Sequence, residues 1–159
     1  MLTKYPSWRF VVLAHALVVA PAGWAAAITI TATQELVFGK IAPVSGGAVT
    51  ISTGGARSAS GERGGVILLP TGAGSAAQFV ISGDANASYV ISLPNNGAVL
   101  LTSGAHTMAV SNFTSSTQLL GTIGTARAQT VFVGATLNVG SNQAAGSYSG
   151  AFSVSVNYN

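Results

Sequence analysis

The sequence contains no cysteine, which excludes disulfides, zinc–thiolate sites and thiol nucleophiles together. Charge is almost as scarce. Asp, Glu, Lys and Arg make up 6% of the chain, against roughly 25% of an average globular protein. The carboxylates are Glu35, Glu62 and Asp84. None has an acidic partner close in sequence, so a paired-carboxylate hydrolase is hard to build from them. Beyond residue 27 the only histidine is His106, with no second histidine or nearby carboxylate to complete a metal site. A triad could be drawn through His106 and Asp84, but no G-x-S-x-G elbow singles out its serine. Asp84-Ala85-Asn86-Ala87-Ser88 copies the first alternate oxygens of a calcium loop. Tyr89 then stands where that loop needs glycine, and Asn95 where it needs glutamate, so an Asx turn is the better reading. The glycine-rich pieces match no phosphate-loop spacing. These absences predict a protein that is not an enzyme and carries no metal or cofactor.

Long apolar runs are missing as well. The longest, from Phe10 to Ala20, covers about 11 residues and is interrupted by His15, short of the ~20 that span a bilayer. Lys4 and Arg9 lie at its start, Pro21 and Gly23 follow it, and Ala25-Ala26-Ala27 supplies an A-x-A site. The pattern predicts a signal peptide over residues 1–27, with Ile28 as the first mature residue and cleavage after Ala25 as the close alternative. Its removal leaves Lys40, Arg57, Arg63 and Arg127 against the three carboxylates. The sequence pI of 9.7 is therefore no nucleic-acid footprint, and no basic stripe with interleaved aromatics is present. Residues 28–159 read as one exported domain without a membrane span.

What the chain has instead is alternation. Phe152, Val154, Val156 and Tyr158 share one face of the C-terminal stretch; Ser153, Ser155 and Asn157 share the other. Side chains of a strand repeat every two residues, so this is a strand with one apolar face. Residues 28–38 alternate in the same way, with Ile28, Ile30, Ala32, Leu36 and Phe38 on one side and threonines on the other. Further strands are expected at 48–53, 66–69, 78–82, 88–93, 98–102, 106–113 and 130–139. The Asn95-Asn96-Gly97 step predicts a hairpin between 88–93 and 98–102. The stretches 54–65 and 114–129 read as polar, glycine-punctuated loops. About eight or nine short strands with turn signals roughly every ten residues argue for an all-β, immunoglobulin-like Greek-key sandwich, either complete or lacking one strand.

Three motifs carry a resemblance: Leu36-Val37-Phe38-Gly39, Val133-Gly134-Ala135-Thr136-Leu137, and Asn142 through Gly150 (Asn-Gln-Ala-Ala-Gly-Ser-Tyr-Ser-Gly). Together they resemble a family of small exported bacterial proteins catalogued as a domain of unknown function. A second resemblance is to chaperone–usher pilus subunits and spore-coat-U-like proteins. Those end in an alternating strand with a penultimate aromatic, here Tyr158, and a glycine fourteen places from the end, here Gly146. That resemblance implies a sandwich missing one strand, which a periplasmic chaperone lends and the next subunit replaces by β-strand addition at an outer-membrane usher. It assigns Ile28, Ile30 and Ala32 as donor residues, and Gly146, Phe152, Val154, Val156 and Tyr158 as the acceptor edge. The expected function is a structural subunit of a surface fibre, its partners being further copies or related subunits. The alternative is a monomeric exported binding or matrix domain in which residues 28–38 are simply the first strand of a complete sandwich.

Overall fold

A computed structural model describes residues 9–12 and 26–159. Most of the expected signal peptide, including its charged start at Lys4 and its apolar centre, lies outside the described residues. All regular structure among the described residues is strand: β1 (Arg9–Val12), β2 (Thr29–Gln34), β3 (Ile41–Pro43), β4 (Gly47–Ile51), β5 (Arg57–Ser60), β6 (Val66–Leu68), β7 (Ala77–Ser82), β8 (Ser88–Ser92), β9 (Val99–Ser103), β10 (His106–Ser115), β11 (Leu120–Thr122), β12 (Ala128–Val139), β13 (Ser149–Phe152) and β14 (Ser155–Tyr158). No helix among them is long and apolar enough to cross a membrane.

The strands pack as a β-sandwich whose two layers share strands. One layer runs β13-β9-β10-β12-β4-β5. The long β12 belongs to both: Ala135–Val139 pair with β4, whereas Ala128–Val133 pair with β7. On its far side β7 carries β2, with Ile30 opposite Ile81. The remaining ladders are β11-β8-β14 and the short pair β3-β6. A strand that turns a corner in this way lets two sheets close on one core without an edge at that side. Gly134 makes the corner possible, because a Cβ there would sit 2.2 Å from the carbonyl oxygen of Ile51.

Among the described residues the core is wholly apolar, with no polar or charged residue buried. Its largest members are Tyr89, Tyr148, Phe38 and Phe79. Phe152 bridges the layers, its ring 6.3 Å from Phe79 and 5.1 Å from Phe113. In β7 the pattern of burial follows every second residue, as it must for a strand with one face inward.

Three local expectations change. Residues 88–93 and 98–102 do not form a hairpin. The registers place β9 and β8 one after the other along the final strand, Thr102 opposite Ser149 and Ser92 opposite Ser155. The Asn96 side chain instead accepts the Asn112 N–H at 2.7 Å, at a bulge in β10 where Asn112 has φ +50°. The tight hairpin is β9–β10, closed by Gly104 at φ +58°. Nor is 54–65 an unanchored loop: it contains β5, and the Arg57 guanidinium donates to the carbonyls of Phe38, Lys40 and Leu69 at 3.3, 3.2 and 2.8 Å. Burial lowers the pKa of that guanidinium. Likewise β11 lies inside 114–129. The pairing of β11 with β8 and the reach of Arg57 over 12 to 19 residues are not encoded by short-range turn signals.

Candidate functional site

The final strand is the feature around which a site can be built. It has two halves, because residues 153–154 fall where the chain passes from β9 to β8 as its neighbour. Phe152, Val154 and Val156 are all buried, at 3%, 1% and 1% exposure, so the apolar face expected of this stretch runs unbroken through the crossing.

A corner fixes where the strand begins. The Tyr148 hydroxyl donates to Ala144 O at 2.7 Å, four residues upstream, and receives the Gln143 amide at 2.6 Å. A buried tyrosine bonded back to the preceding connection is the tyrosine corner of Greek-key sandwiches, found at the start of the strand called F. This gives a physical role to the 142–150 motif: the small residues let the connection fold under the ring. Gly146 lies in that connection and not on the strand edge. A Cβ there would stand 2.4 Å from the Ser103 hydroxyl oxygen.

The side of the strand turned away from β9 and β8 is occupied unevenly. Beside β13 lies β1, in parallel, with Arg9 opposite Ser149 and Val12 opposite Phe152. Among the described residues β14 forms a ladder with β8 alone, and β2 with β7 alone. The segment that leads into β2 is tied to β14 through Tyr158. Its hydroxyl donates to Ala26 O at 2.7 Å and accepts the Asp84 N–H at 2.8 Å. The Ala26 N–H donates to the Asp84 carboxylate at 3.1 Å. Gly83 leaves room for the Tyr158 ring, since a Cβ there would come within 2.5 Å of the hydroxyl.

The residues assigned as donors sit elsewhere. Ile28 and Ile30 are 5% and 7% exposed in the core of their own chain, and Ala32 packs against it half-buried. The structure therefore brings Tyr158 and the start of the 28–34 strand to one place, and keeps Ile30 and Ala32 on the β7 ladder.

Other candidates do not converge. His106 is exposed at the β9–β10 turn, and among the described residues no cluster of His, Cys, Asp or Glu could hold a metal ion. Asp84 opens a tight turn, Ala87 N–H to Asp84 O at 3.3 Å, with Asn86 at φ +61°. An open cleft of about 300 Å³ lies on another face, walled by Phe132, Gln34, Thr53, Ser75 and glycines. The Gln34 amide is turned into the wall, donating to Ala76 O at 2.8 Å. Sequence reasoning passed over Tyr148 and Arg57 as structural anchors, and read Asp84 as an Asx turn although its carboxylate accepts the Ala26 N–H. Only Tyr148 left a signal, an aromatic enclosed by Gly146-Ser147 and Ser149-Gly150.

Comparison with protein families matches residues 28–158 to the family described as Domain of unknown function (DUF4402), and the chain belongs to that family. Searches among curated proteins and among solved structures returned no match.

Proposed function

We propose that this chain is an exported structural subunit which assembles into a surface fibre by β-strand exchange at the outer edge of its final strand. The observation that carries the reading is the state of that edge. Half of it pairs with residues 9–12, which belong to the expected leader, and among the described residues the β14 half has no ladder on that side. Loss of the leader would leave a row of main-chain N–H and C=O groups beside an apolar face, and such an edge takes up an extended segment from another chain. Phe152, Val154, Val156 and Tyr158 form its wall. The donor residues remain Ile28, Ile30 and Ala32 of a neighbouring copy. Because β2 is paired with β7 in the protomer, donation exchanges one antiparallel ladder for another. A periplasmic chaperone would hold the edge until a neighbour arrives, and an usher would order the addition. An edge contact that does not close on itself propagates as a filament.

The test is the size of the assembled protein. Material sheared from exporting cells is run on an SDS gel with and without boiling. A ladder that collapses to one band on heating is expected. A single monomer band in both lanes overturns the fibre.

The cleft beside Phe132 favours a second reading, a monomeric exported binding domain. Its lining is uncharged, and Phe132 is 36% exposed, so its ligand would be small, neutral and polar with one apolar face. A monomer band in both lanes, together with ligand binding that is lost in Phe132→Ala, would establish that reading in place of the fibre.

A further inference from the structure

The leader junction offers two cuts that sequence alone does not separate. Cleavage after Ala27 has small residues at Ala25 and Ala27; cleavage after Ala25 has them at Gly23 and Ala25. Both satisfy the small-residue requirement of a leader peptidase. The fold distinguishes them. Ala26 is held at both of its main-chain polar groups, its N–H by the Asp84 carboxylate at 3.1 Å and its carbonyl by the Tyr158 hydroxyl at 2.7 Å. Tyr158 in turn accepts the Asp84 N–H at 2.8 Å. These bonds close a ring joining the start of the domain, the turn after β7 and the end of β14.

We infer that the leader is cut between Ala25 and Ala26, and that the new α-ammonium of Ala26 is the counter-ion of Asp84. Hydrolysis adds one water to that peptide bond. The Ala25 carbonyl carbon takes the oxygen and becomes a carboxylate, and the Ala26 nitrogen leaves as an ammonium carrying both protons of the water. A neutral N–H donor 3.1 Å from a carboxylate thereby becomes a positive charge at the same place. Charge-assisted bonds of this kind are the stronger ones. Cleavage after Ala27 would do the reverse. It would remove both of the Ala26 bonds and set the new charge on Ile28, a residue 5% exposed in the core, where an ammonium is costly to desolvate.

The pairing also bears on assembly. It fastens the first residues of the exported domain to Tyr158 at the end of β14. A strand clasped in this way is held on β7 until Asp84 and Tyr158 release it.

The inference rests on the leader being removed, and the first measurement separates the two. The exported full-length gene product is purified and its N-terminus read by sequencing and intact mass. A chain beginning at Ala26 is expected. A chain beginning at Ile28 overturns the inference and leaves the export reading intact; a chain still beginning at Met1 overturns both. The ion pair is tested on the same product in a Lys40→Arg background, where the α-amine is the one remaining amine of the processed chain. Acetylating it should lower Tm by about 3 °C, and should change Tm little once Asp84→Asn is present. Equal losses with and without Asp84 overturn the pairing.

Discussion

Single side chains in this domain hold positions that no neighbouring residue could hold for them. Tyr148 is 1% exposed, and its hydroxyl ties the connection before β13 to the strand itself. Tyr148→Phe keeps the ring and removes both bonds. It should cost about 1–1.5 kcal/mol, read as a lower urea midpoint at unchanged m-value. Gly134→Ala should cost more, about 3 kcal/mol, since the new Cβ would meet the Ile51 carbonyl at 2.2 Å, a backbone atom that cannot swing away. Tyr89 brings a pH dependence. Its hydroxyl donates to Gln129 at 2.7 Å, and burial raises its pKa, a hydrogen bond with the Thr117 side chain opposing the shift. The folded state therefore holds this proton more tightly than the unfolded chain. The contribution is complete below the ordinary tyrosine value of about 10 and is lost as pH rises through the higher folded value. Thermal melts between about pH 9 and pH 12 should show a falling Tm, and Tyr89→Phe should flatten that arm.

The strands depend on anchors contributed from outside them. β5 is held by β4 along one edge, and by Arg57 reaching three carbonyls that belong to the 38–40 and 69 segments. Arg57→Met keeps the stem and leaves those acceptors without their donor. The loss should be about 2 kcal/mol, and hydrogen exchange should rise selectively across 38–41 and 57–69, not across β12. β2 is the element on which the two functional readings divide. Ile30 lies opposite Ile81 and is 7% exposed. In the isolated protomer Ile30→Asp places a carboxylate against the core and should destabilise it by at least about 3 kcal/mol. If circular dichroism and melting show Ile30→Asp as stable as the parent, β2 is not committed to β7 in solution.

At the scale of the molecule the feature to explain is a sandwich with one strand position unevenly filled. Among the described residues β14 and β2 form no ladder with each other, and Tyr158 ties β14 to Ala26 ahead of β2. Assembly through that position would bury apolar side chains and form main-chain bonds. With only 6% charged residues in the chain, it should respond weakly to salt. Raising NaCl from about 0.05 to about 1 M should leave the heat-labile ladder unchanged, whereas Val156→Asp should remove it. A ladder that dissolves in salt would point to surface charge in place of strand exchange.

Composition and period alone determined that the fold is all-β, that β7, β12 and the final stretch turn one face inward, and that Phe152, Val154 and Val156 lie in the core. A strand's period is local, and it can be read from a handful of adjacent residues. They did not determine which strands are neighbours. The Asn95-Asn96-Gly97 turn pointed to a hairpin, yet β8 and β9 lie one after the other along the final strand. Nor did they place Arg57 or Asp84, whose partners come from distant parts of the chain. Pairing is decided by the packing of the whole core. Strand order, the corner at Tyr148 and the uneven edge beside β14 therefore belong to the tertiary structure, and the candidate site belongs with them.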